Sequence, residues 1–105
     1  MSGDEPANPA RGEAAIEIFG RKRRLRPTFA ALVAAEEELG PLFALVERAS
    51  DGRLKLGEMT SLFWHCLADR ADLTRDDVGE AIAAQGLAAS APALRAVLKQ
   101  VLQGA

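Results

Sequence analysis

"AIEIFGRKRRLRPTF", residues 15–29, decides the fold of this 105-residue chain. Its first half alternates apolar and polar side chains, the pattern of a strand with one buried face, and its second half sets five basic residues around Leu25. With Gly20-Arg21 as a two-residue turn, the glycine supplying a positive φ, the two halves fold back as a β-hairpin. That register places Phe19 opposite Lys22, Ile18 opposite Arg23, Glu17 opposite Arg24 and Ile16 opposite Leu25, matching acid with base and aliphatic with aliphatic. Pro27 has no N–H for the ladder, so pairing ends there. Ile16, Ile18 and Leu25 share one face, and since a lone hairpin is marginal in water that face must rest on helices. The alternation sends Lys22, Arg24 and Arg26 to the other face, with Arg21 and Arg23 on Leu25's side near the tip.

Helices fill the rest. Thr28 is the expected N-cap of a helix through "FAALVAAEEELG", with Phe29, Leu32, Val33 and Leu39 as apolar positions and Glu36, Glu37 and Glu38 behind them. Gly40-Pro41 separates it from "LFALVERAS", where Leu42, Leu45, Val46 and Ala49 face inward. Met59, Leu62, Phe63, Cys66 and Leu67 follow the i, i+3, i+4, i+7, i+8 spacing and form the best amphipathic helix of the chain. Thr74 and Asp77 form a capping box for the next helix, with Leu73 able to staple onto Val78, and that helix runs to Gln85-Gly86. Ser90 and Pro92 open a last helix with Leu94, Val97, Leu98, Val101 and Leu102 as its stripe. The expected fold class is α+β and mostly α: an N-terminal β-hairpin followed by about five short helices in one domain over residues 11–105.

Composition bounds the function. The chain is 49% hydrophobic and 27% charged, which is globular, and no segment stays apolar long enough to span a bilayer. "MSGDEPANPARG" is polar and rich in proline and glycine, without the basic start and apolar middle of a signal peptide. Residues 1–10 therefore read as a disordered leader and the chain as cytoplasmic. One cysteine, Cys66, excludes an internal disulfide framework. A formal net charge of −2 gives no overall attraction to nucleic acid, and few aromatics are available to stack on bases.

Catalytic or metal chemistry is not expected. His65 and Cys66 are neighbours, so on a helix their side chains point about 100° apart and cannot pair. Cys66 lies on the apolar stripe as a buried thiol, and His65 can reach Asp69 four residues on. "DRADLTRDD" lacks the spacing and the glycine of a calcium loop, and no phosphate-binding or nucleophile motif occurs. No catalytic residue, cofactor or metal ligand is assigned. The basic strand reads first as a solvated face that protects a sheet edge, and second as a docking surface for an acidic protein partner. The run Glu36–Glu38 can neutralise it within or between copies. Trp64, beside the apolar stripe, is either boundary packing or an anchor for a partner.

The order of segments resembles a known family. "NPARGEAAIEIFGRKRRLRPTFAALVAAEEELG" and "PLFALVERASDGRLKLGEMTSLFWHCLA" are similar to small phage-related proteins of gene transfer agent clusters, grouped with tail assembly chaperones and sometimes labelled tail tube proteins. The matching features are Arg11-Gly12-Glu13, the hairpin around Gly20, and the Thr28-started helix with Leu32 and Glu36. Gly52-Arg53-Leu54 and "DLTRDDVGEAIAAQGLA" match as well, so the resemblance spans roughly residues 8–103. Lys55-Leu56-Gly57-Glu58 departs from it by lacking a polar cap before the third helix. The resemblance implies a non-enzymatic protein that coats a tail tape-measure protein until tail tube subunits polymerise round it. The partners it implies are the tape-measure or tail tube protein, with a homo-oligomer possible and with neither nucleic acid nor membrane. Lys22, Arg24, Arg26 and Trp64 are the expected contact residues. The alternatives are a structural tail tube component and a small nucleic-acid-binding regulator.

Overall fold

Two five-residue strands, β1 (Ala14–Ile18) and β2 (Arg21–Leu25), form an antiparallel hairpin. Five helices follow: α1 (Phe29–Leu39), α2 (Leu42–Ser50), α3 (Leu56–Cys66), α4 (Arg75–Gln85) and α5 (Leu87–Gln103). This is the expected α+β, mostly helical class, seen in a computed structural model that describes residues 14–103. The leader read over residues 1–10 lies outside the described residues, as do Arg11-Gly12-Glu13 and the last two residues of the chain.

The hairpin's register differs from the expected one. Phe19-Gly20 is the turn, so Ile18 pairs with Arg21, Glu17 with Lys22, Ile16 with Arg23 and Ala14 with Leu25. Both turn residues take positive φ, 54° at Phe19 and 79° at Gly20, the pattern of a type I′ turn, whose twist matches that of the strands. The partner of each β1 residue moves by two positions, so every side chain keeps its face. Ile16, Ile18 and Leu25 are accordingly buried, as expected, and Glu17 still faces a base.

Neither edge of the hairpin is bare. On the β2 side, the Arg26 N–H donates to the Cys66 carbonyl at 2.6 Å and the Ala68 N–H donates to the Arg24 carbonyl at 3.0 Å. Leu25 and Leu67 make an antiparallel bridge there. On the β1 side, the Gln85 side-chain amide donates to the outward Glu17 carbonyl. The inner face packs on α4 and α5, while α3 lies between α1 and α4. Ile18, Leu25, Leu45, Leu62, Phe63, Val78, Ile82 and Val97 are all but sealed from solvent and form the centre of the core.

Helix starts follow the local chemistry. Thr28 accepts from the Ala31 N–H at 3.1 Å, and Thr74 and Asp77 complete the capping box reciprocally at 3.1 and 2.9 Å. For α3, where no polar cap was evident, the Glu58 carboxylate takes the Lys55 N–H at 2.9 Å and also the Arg48 guanidinium at 2.5 Å. A lysine side chain has no acceptor, so only this half of a capping box forms.

Two helices depart from the reading. In α1 only Ala35 is buried, with Ala31, Leu32 and Leu39 packed against the core, while Phe29 is 85% exposed and Val33 is exposed as well. At 100° per residue Phe29 and Val33 lie about 40° apart and far round the helix from Ala35, so they belong to a second stripe. The last helix begins at Leu87, ahead of Ser90 and Pro92, and is long. Gly86 (φ 89°) turns the chain by 120° straight from α4 into α5, and alanines carry the first turn. Pro92 then leaves only the Ala88 carbonyl without its helical donor, and Ala88 is exposed to water. No single described helix is long and apolar enough to cross a membrane.

Candidate functional site

The three predicted basic residues come together. Strand alternation puts Lys22, Arg24 and Arg26 on the outer face of the hairpin beside Glu17, with Lys22 and Arg26 exposed and Arg24 half-buried. Arg23, on the inner side, forms a bidentate pair with Asp72 at 3.0 and 2.9 Å. That hydrogen bond holds the Asp72 carboxyl below its ordinary range and raises the Arg23 value. The acid paired with Arg23 on the hairpin's inner face is thus Asp72, while within the chain Glu36 bonds the Leu42 N–H and Glu38 bonds α3 and α4.

Glu38 on α1 gathers three side chains from two other helices at one carboxylate. His65 Nε2 donates to it at 2.8 Å, the Ser61 hydroxyl at 3.0 Å and Arg75 at 2.6 Å, tying α1 to α3 and α4. The His65 hydrogen bond is the largest cause holding the Glu38 carboxyl low, against a partial loss of solvation. His65 therefore pairs with Glu38, and Asp69, its expected partner, accepts from the Ala71 N–H instead. Burial pushes the Cys66 thiol up to about 12, which leaves it protonated and unreactive at neutral pH.

Trp64 is half-buried and flanked by cations. The Arg70 guanidinium stands 4.8 Å and that of Arg75 5.9 Å from the ring centroid, and Arg70 also donates to the Trp64 carbonyl at 2.8 Å. The ring is thus engaged by two arginines of its own chain. Arg75 and Ser61 join this cluster to an open groove of about 530 Å³ between α3 and α4. Small residues, Gly57, Thr60, Gly79 and Ala83, line it together with Leu56, Asp76 and Glu80.

The exposed phenylalanines are not singled out by the sequence reading. Three of the chain's four phenylalanines stand in solvent: Phe19 is 64%, Phe29 85% and Phe43 75% exposed. Phe29, Val33, Glu36 and Glu37 share the outer side of α1, and Phe43 shares that of α2 with Glu47. Glu36 accepts from the Leu42 N–H at 3.1 Å, so the C-terminal end of the outer side of α1 adjoins the start of α2 next to Phe43, with the acids Glu36 and Glu37 between Val33 and Phe43 in the chain. The signal lay in the helical wheel, where Phe29 and Val33 fall off the arc of Ala31, Leu32, Ala35 and Leu39, and Phe43 off that of Leu42, Leu45 and Val46.

With this geometry in place, comparison adds one finding. The family model described as phage tail tube protein, GTA-gp10, matches residues 11–104. Neither the curated proteins nor the solved structures contain a match to the chain.

Proposed function

The chain belongs to the GTA-gp10 phage tail tube protein family, and from that premise we propose that it is a non-enzymatic assembly chaperone of a phage-like tail. It works in the cytoplasm, covering a tape-measure-type protein until tube subunits replace it, and it does so as several copies side by side. The observation that carries this reading is the exposure of Phe29, Val33 and Phe43 on the neighbouring helices α1 and α2. Burying such phenylalanines against a partner is worth about 2 kcal/mol each, and a monomer that leaves them in water forgoes that gain. A few exposed side chains give weak single contacts, which add when many copies line one long chain.

The second reading, a subunit that stays in the tube, is favoured by the family's description. A tube wall built by strand pairing needs free sheet edges. Both edges of this hairpin carry hydrogen bonds from the chain's own residues 66–68 and Gln85, which tilts the choice to the chaperone.

Co-expression with the tape-measure protein tests the proposal. The expected result is a soluble complex of several copies per tape measure, lost in the Phe29→Ser/Phe43→Ser variant although that variant folds. A tape measure equally insoluble with and without the chain would overturn it.

A further inference from the structure

The tip of the hairpin holds a phenylalanine where its own backbone resists it. Phe19 sits at φ 54°, a region that strains a side chain with a Cβ, in a type I′ position that asparagine or glycine fills without strain. The residue is 64% exposed, so most of its side-chain surface finds no packing within the molecule to offset that strain. Strained residues of this kind cluster where the strained side chain has work to do. Arg21 and Lys22, both exposed, follow directly, making the tip a small aromatic knob with two positive charges.

The groove between α3 and α4 is its complement. It is open, lined by the small residues Gly57, Thr60, Gly79 and Ala83, and the acids Asp76 and Glu80 on its lining are both exposed. The one base on its lining, Arg75, is turned to Glu38 at 2.6 Å and lies against Trp64. Phe19 stands in solvent, so a chain does not fill the groove with its own tip.

We propose that the occupant of this groove is the hairpin tip of a second copy, Phe19 entering between α3 and α4 while Arg21 and Lys22 meet Asp76 and Glu80. Knob and groove are different patches of one surface, so the contact is heterologous and each added copy still presents one free knob and one free groove. Copies then join head to tail into a ring or a filament. The inference goes beyond the chaperone reading, giving its coat a repeating contact, and uses residues other than Phe29, Val33 and Phe43. It is tested on the purified chain alone, so its failure is distinguishable from a failure to bind the tape measure.

The experiment is sedimentation velocity over a concentration series with two variants. Phe19→Asn keeps the groove and removes the knob, and Ala83→Arg keeps the knob and blocks the groove at an exposed helical position. The wild type associates into species larger than dimers, more weakly at high salt, and each variant alone loses about tenfold or more in affinity. Mixed, the two variants form a 1:1 heterodimer that grows no further, because one good knob and one good groove remain. A monomeric wild type, variants that associate as the wild type does, or a mixture that stays monomeric would each overturn the proposal.

Discussion

At the scale of single residues, the protein's stability and its surface chemistry separate cleanly. Phe63 has no exposed surface, and Phe63→Ala should cost about 3–5 kcal/mol, read as a lower urea midpoint. Phe19 behaves oppositely: Phe19→Asn relieves a left-handed strain and should gain about 1 kcal/mol, read as a higher melting temperature. Cys66, buried and with its thiol pushed up to about 12, should resist a thiol reagent in the native state and react once the chain is unfolded in urea. Glu38 sets part of the acid sensitivity. Its carboxyl is held low in the folded state, so its contribution is complete above the ordinary carboxylate range and is lost as the pH falls through the depressed value. Glu38→Gln should therefore flatten the acid side of a melting-temperature profile, while the wild type keeps the steeper fall.

Among the elements, the hairpin and α3 were the most legible in sequence, and the reasons are local. Alternation fixes which face of a strand is buried whatever the turn, so Ile16, Ile18 and Leu25 were placed correctly even though the turn is Phe19-Gly20. The turn itself was misread because an exposed phenylalanine with positive φ contradicts local propensity. A single dense stripe made α3 plain. In α1 two apolar stripes compete, and only tertiary packing chooses Ala35 over Phe29 and Val33 for the core. The basic strand was legible as a surface. The groove was not, because it arises where Thr60 on α3 meets Gly79 on α4, distant in sequence with no pattern linking them. Capping gives a test at this scale: Thr74→Ala removes the hydroxyl that takes the Asp77 N–H and should cost about 1 kcal/mol in thermal unfolding.

Taken whole, the molecule is a small helical domain with hydrogen bonds on both edges of its hairpin and three of its four phenylalanines turned outward. Those two properties fit a protein that covers another chain better than one that builds a wall from strands. The apolar residues of α1 and α2 proposed to cover a tail partner, the proposed knob on the hairpin and the groove between α3 and α4 occupy different elements, so the two proposals do not compete for one surface. The most direct test is the amount of this chain in finished particles, measured by quantitative mass spectrometry against the tube subunit and compared with the lysate from which the particles were purified. A chaperone that leaves on assembly is abundant in the lysate and depleted from the particle. Presence in the particle at a fixed ratio to every ring of the tube would contradict the account and make the chain a structural part of the tail.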